Sequence, residues 1–174
     1  MKKNLLLLFV LIGFVSLTYA QKGDLYVGIK DGYVTNYKGV LFGAETGYHL
    51  TDPLEVSFSF LMNPRIVLED RFDPSRLSIY SFDLNFCYYI VSRRNWGMGP
   101  TLGGGYVIVE NNYFRANPPH IENDNHFALD LGWHLRYSIT DNIRLSGGWR
   151  YSAATNDMSM HLIYLGLGYV FNLF

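Results

Sequence analysis

The chain has 174 residues, 17% of them charged and 17% aromatic, with a formal net charge of −1. Near-neutrality without a basic stripe removes the electrostatic pull that nucleic acid or anionic lipid would exert, so nucleic-acid binding is excluded as a function class. A single cysteine, Cys87, rules out an internal disulfide.

Residues 1–20, MKKNLLLLFVLIGFVSLTYA, come first and stand apart from the fold. Lys2 and Lys3 form a basic start, residues 5–17 an apolar core, and Thr18-Tyr19-Ala20 a small-x-small cleavage site. That pattern predicts a Sec signal peptide cut before Gln21. The apolar core is too short to cross hydrocarbon as a helix, and the residue after the cut is not Cys, which argues against a lipoprotein anchor. Residues 21–174 then form one domain.

From there to the end, apolar residues repeat every second position, the period of a half-buried strand. Residues 25–29 open the series, and residues 40–50 and 54–62 follow around the turn Thr51-Asp52-Pro53. Residues 79–90 alternate Tyr80, Phe82, Leu84, Phe86, Tyr88 and Ile90 with Ser81, Asp83, Asn85, Cys87 and Tyr89. After a turn at residues 92–95, residues 98–108 are glycine-rich on their polar parity. Residues 126–139 place Phe127, Leu129, Leu131, Trp133, Leu135 and Tyr137 against His126, Asp130, His134 and Arg136. The turn Thr140-Asp141-Asn142 leads to residues 143–153, and residues 163–173 close the chain. Longer, more polar connections are expected at residues 31–37, 63–75, 110–125 and 154–158. Short and long connections alternate, which predicts eight antiparallel strands in an up-and-down meander.

Alternation alone leaves open which face is inside. An eight-stranded barrel has an interior just wide enough to be filled by side chains, and the parity rich in Trp, Tyr, Phe and Leu is too bulky to be enclosed. The other parity holds glycines, serines and charges that nearly cancel: Lys30, Arg136, Arg144 and Arg150 against Glu45, Glu55, Asp83 and Asp130. The polar parity is therefore assigned to the lumen, and the outward face to lipid, where a closed barrel satisfies every backbone polar group. Tyr48, Tyr88, Tyr137 and Tyr169 fall at one depth near the tight turns, as an interfacial aromatic girdle would.

This combination of leader, dyad repeat, alternating connections and aromatic last strand resembles the small eight-stranded outer-membrane β-barrels of Gram-negative bacteria, of the type of the OmpA transmembrane domain, OmpX and OmpW. The resemblance implies location in the outer membrane after Sec export and contact with outer-membrane lipid and lipopolysaccharide. It implies periplasmic short turns and extracellular long loops, and a terminal aromatic read by the barrel assembly machinery, here Tyr169 with Phe171 or Phe174. It carries no cofactor.

Within the lumen, Glu45, Glu55, Arg136 and Arg144 are expected in one layer near the periplasmic end with His49 and His134. Asp83, Asp130, Arg150 and Lys30 are expected in a second layer. Paired in this way, the charges plug the channel; exchange of partners would instead make a narrow gated pore. An interaction role falls to residues 63–75 and 110–125, toward an extracellular or envelope protein partner, with the barrel itself a monomer. A lipid A-modifying enzyme is the lesser alternative: Ser159 and His161, or His126 with Asp130, lie toward the extracellular end, and the first pair is expected to point inward. His120, Glu122, Asp124 and His126 make a loose acid and histidine set too weak to assign a metal. A soluble lipocalin-like binder is the remaining alternative fold.

Overall fold

The computed structural model describes residues 23–68, 75–93, 95–113, 120–155 and 159–172. The leader and Phe174 lie outside them. Nine strand segments follow in chain order: β1 Asp24–Val34, β2 Gly39–Thr51, β3 Leu54–Leu68, β4 Ser75–Tyr88, β5 Val91–Ser92, β6 Trp96–Tyr113, β7 His120–Ser138, β8 Ile143–Ala154 and β9 Ser159–Asn172. The two-residue β5 continues β4 along the edge of β6, so the wall has eight staves. Neighbours in sequence pair antiparallel, and β1 pairs β9 from Asp24↔Asn172 to Val34↔Leu162. That last ladder closes an all-β barrel, and no helix occurs among the described residues.

Strand alternation and turn chemistry produce this locally. At the β8 entrance the Thr140 hydroxyl accepts from the backbone N–H groups of Asn142 (3.3 Å) and Ile143 (3.0 Å). The turn is thereby fixed by its own side chain. Between β2 and β3 the register shifts between His49 and Thr51, a bulge that bends the hairpin at its tip. Register around the barrel is consistent. Following outward residues across paired strands from Ser159 through Ala153, Leu129, Gly104, Leu84, Phe58, Thr46 and Val27 arrives at Tyr169, ten residues further along β9. Such a stagger tilts the strands by about 35–45° to the barrel axis.

The parity assignment agrees with burial. Phe42, Phe82, Leu131, Trp133 and Leu167 are exposed on the outer face, while Glu45, Asp83, Asp130 and Arg150 are buried within. In three places the observed strands overrun the expected loops, the shortest at residues 31–37, where β1 and β2 stay paired up to Val34↔Gly39. β3 and β4 stay paired up to Leu68↔Ser75, and β6 and β7 up to Tyr113↔His120. The described residues expected to form loops at 63–75 and 110–125 are thus mostly ladder. Above the membrane both faces of a hairpin meet water, so backbone pairing persists where hydrophobic alternation does not.

The inward parity also carries large side chains among its glycines and serines. Tyr26, Tyr89 and Tyr164 are buried in the lumen, and glycines make room for them. A Cβ on Gly168 would lie 2.2 Å from the Tyr26 ring, and one on Gly148 2.8 Å from the Tyr164 hydroxyl. Toward the end opposite the tight turns the lumen turns apolar, with Val34, Leu41, Leu61, Ile79, Val107, Val109, Met160 and Leu162 in one cluster.

Inward and outward glycines should respond differently to substitution. A Cβ on Gly43 would sit 1.8 Å from the Phe60 carbonyl oxygen, whereas one on the outward Gly104 meets nothing nearer than the Ala128 oxygen at 3.3 Å. Gly43→Val is expected to destabilise the barrel by at least about 1–3 kcal/mol, and Gly104→Val to stay within about 0.5 kcal/mol. The temperature at which the folded band is lost on a heat-modifiable gel measures both.

Candidate functional site

Eight charged side chains and two histidines project from six of the eight staves into the lumen, held there by the inward parity of their strands. Lys30 of β1 meets Glu45 of β2 at 2.7 Å, and its ammonium stands 4.1 Å from the centre of the Tyr164 ring. Glu45 is thus joined to Lys30 rather than to the arginines grouped with it from the sequence. Closer to the tight turns, the Glu55 carboxylate takes His49 at 2.7 Å and Arg144 at 3.0 Å on one oxygen. The Tyr89 hydroxyl donates to that oxygen at 3.1 Å.

Arg144 and Arg136 both also reach the His49 ring. His49 Nε2 cannot donate to Glu55 and accept from an arginine at once, so its tautomer decides which contact is made. Arg136 further donates to Ser92 at 3.1 Å and lies 4.2 Å over the Tyr89 ring. Higher up, Arg150 lies between two carboxylates, 2.7 Å from Asp83 and 3.7 Å from Asp130. Ser59 and Ser81 donate to Asp83 at 3.2 Å and 2.6 Å. His134 pairs with the Tyr164 hydroxyl at 2.9 Å. Four cations thus face four anions in a narrow space, nearly all fully buried, where an unpaired charge is costly and a partnered one tolerable.

On the outer face Tyr88, Tyr137 and Tyr169 are exposed and Tyr48 is half-buried. All four lie within a few residues of the tight turns. Tyr169 meets Phe171 edge-on, ring centres 4.8 Å apart; both face outward on the last strand.

Ser159 and His161 point outward, not inward as expected. Strand β9 runs without a bulge from Ser159, so the parity of Leu165 and Leu167 carries through to them. His161 lies against Trp149 and Tyr151, at 5.9 Å and 4.8 Å between ring centres. His126 and Asp130 do face the lumen, buried, and the His126 ring lies 3.4 Å from the Thr155 hydroxyl. Among the described residues no three side chains are placed to hold a metal ion; the side chains of His120 and Glu122 lie outside them.

The apolar cluster at the far end of the lumen had no clear sequence signal, because both parities are apolar there. Tyr33 and Val40 face out beside inward Val34 and Leu41. What would have exposed it is that apolar residues occupy the glycine and serine parity at the same height on several staves.

A closed eight-stave barrel, apolar outside and polar or tightly packed inside, defines the class: a membrane-embedded β-barrel. The model of the outer membrane protein beta-barrel domain matches residues 5–171, and the chain belongs to that family. Solved structures with the same fold include the N-terminal barrel of Pseudomonas aeruginosa OprF, with 17% identity, TM-score 0.60, and 87% of this chain and 98% of that one covered. Ail, the attachment invasion locus protein of Yersinia pestis, gives 20% identity and TM-score 0.60, covering 86% and 97%. A major outer membrane protein of Thermus thermophilus gives 13% identity and TM-score 0.65, covering 87% and 100%. Among curated proteins none matches the sequence significantly.

The Asp83, Arg150, Asp130 group allows a direct test of how the buried charges depend on one another. Arg150→Met leaves two carboxylates facing each other and should cost about 3–5 kcal/mol. Adding Asp83→Asn should return part of that loss, a coupling above about 0.5 kcal/mol, read from denaturant unfolding in detergent micelles.

Proposed function

We propose that this chain is exported by the Sec pathway, inserted by the barrel assembly machinery through its terminal aromatic strand, and resident as a monomer in the outer membrane. There it acts as a surface-interaction protein. The observation that carries this reading is the unequal height of the staves. β2 leaves β3 at Phe42↔Met62 and β8 leaves β7 at Ala128↔Ala154, yet the ladders of β3 with β4, β4 with β6, and β6 with β7 continue past those levels. Seven β7 residues from His120 onward precede the level where β8 joins through Thr155 and Phe127. At ~3.4 Å per residue this is an extension of about 24 Å along the strand. Among the described residues, a four-stranded sheet stands above the rim with 66–68 of β3 and 120–126 of β7 paired on one side only, and exposed edges are sites for partner strands.

The charge of that sheet narrows the partner. Ail, one of the barrels of similar fold, has been crystallised with the heparin analogue sucrose octasulfate. Here residues 63–77 and 110–125 carry six carboxylates against four arginines. That balance disfavours a sulfated polysaccharide and favours a protein of the envelope or of another cell surface. The lumen serves as structure, sealed by paired charges below and the apolar cluster above; a gated pore would need both to open.

Trimming both hairpins to rim level, with two-residue turns in place of residues 64–78 and 110–123, tests the role of the sheet. The trimmed barrel should keep its heat-modifiable shift, while adhesion of cells displaying it falls to the level of cells lacking the protein. Adhesion equal to that of the full chain would overturn the reading. For the lumen, planar-bilayer current should remain at background for the native chain and for Arg136→Ala alike, because the apolar cluster is untouched. Steady channels from either protein would refute the seal.

A further inference from the structure

The two sides of the sheet above the rim are not alike. On the β3 side, Pro64 has no N–H to offer and the register shifts between Asn63 and Ile66, two features that blunt a sheet edge. The Asn63 side-chain amide also donates to the Val40 carbonyl at 2.5 Å. On the β7 side, residues 120–126 pair with β6 without a bulge and contain no proline. Among the described residues nothing pairs with their other side.

Backbone hydrogen bonds lower on β7 fix which groups that side presents. The Thr155 N–H donates to the Phe127 carbonyl at 3.1 Å, so Phe127 turns its backbone groups toward β8. Ser138, of the other parity, donates on the β6 side, to the Asn95 carbonyl at 2.7 Å. Carried up the unbroken strand, the Phe127 parity leaves the N–H and C=O groups of Ile121, Asn123 and Asn125 on the free side. They form a row to which a strand can be added.

Charge selects the occupant. Residues 120–126 contain two carboxylates, Glu122 and Asp124, and no lysine or arginine. Both positions share the lumen-side parity of His126, and Asp124 is exposed. On the other face, Glu110 of β6 stands opposite Asn123 in the ladder. A second copy of this chain is a poor occupant. Antiparallel pairing of two such strands about Asn123 sets Glu122 opposite Asp124, and like charges directly opposite each other are destabilising.

We infer that residues 120–126 of β7 take, as a fifth strand of the sheet, an extended segment of another protein with lysine or arginine at the alternate positions that face Glu122 and Asp124. Such a partner presupposes the surface role proposed above, and narrows it to one edge and one chemistry. The free backbone groups supply affinity, and the carboxylates select register and partner.

A fluorescein-labelled heptapeptide alternating threonine and lysine serves as probe, its anisotropy read against the full barrel in detergent micelles. In an added strand all residues of one parity turn their N–H groups to the same side. N-methylation of one parity, threonines or lysines, should therefore weaken binding by about tenfold or more, and of the other parity by less than about twofold. Asn123→Pro removes the central free N–H and spares the β6 ladder, and should cost about fivefold or more; Asn125→Pro takes its place should the first variant lose the heat-modifiable shift. Asp124→Lys should cost roughly three- to tenfold. Equal effects of the two methylations, or no effect of the proline, overturn strand addition; a peptide with glutamate in place of lysine that binds as tightly overturns the partner chemistry. Cell adhesion separates the edge from the wider role. Native adhesion by cells displaying Asn123→Pro, where trimmed hairpins abolish it, puts the contact elsewhere and overturns the edge alone. Adhesion unchanged by trimming overturns the surface role beneath it.

Discussion

A backbone in hydrocarbon has nothing to pair with except itself, and every other feature of this protein is arranged around that constraint. Closure of β1 on β9 removes both sheet edges within the membrane, and the ten-residue stagger that closure requires decides which side chains face each other across the lumen. Lys30 meets Glu45, and Arg150 meets Asp83, because the register brings those positions together. The pairings are consequences of the ladder as much as of charge.

With only eight staves, the enclosed space is too narrow to stay empty and too small for bulky residues on every strand. The chain resolves this by complementing large inward residues with glycine. Tyr26 lies against Gly168, and Tyr164 against Gly148. Charges then occupy the middle and lower lumen, each carboxylate held by a cation or by hydroxyl donors, and aliphatic side chains fill the upper part. The two zones fill the lumen by different physics: one depends on pairing in a poorly solvated space, the other on close packing of aliphatic groups.

Much of the fold was legible in the sequence, because lipid imposes a strict period of two. The parity running from Phe127 to Tyr137 identifies the outer face, and Thr-Asp turns mark the tight ends. Partners within the lumen were less legible. Glu45 lies close in sequence to His49 and Glu55, which groups it with them, but the stagger hands it to Lys30. Inward tyrosines are hard to recognise because their space is made by glycines on neighbouring strands, a relation that composition along one strand does not contain. Ser159 and His161 obey the parity of their strand although both are polar. Near the rim, flanked by Trp149 and Tyr151, a polar outward residue is no longer a violation.

The same reasoning explains why function was hardest to read at residues 63–75 and 110–125. Inside the membrane each position has one permitted polarity, so a sequence can be decoded; above it, backbone pairing still holds the strands but water accepts almost any side chain on either face. Alternation therefore disappears at the height where the ladder becomes free to meet something other than lipid. Among the described residues, 66–68 of β3 and 120–126 of β7 carry a ladder on one side only, an arrangement untenable in hydrocarbon. Loss of the dyad signal while pairing continues is, for a barrel of this kind, the mark of strands that have left hydrocarbon.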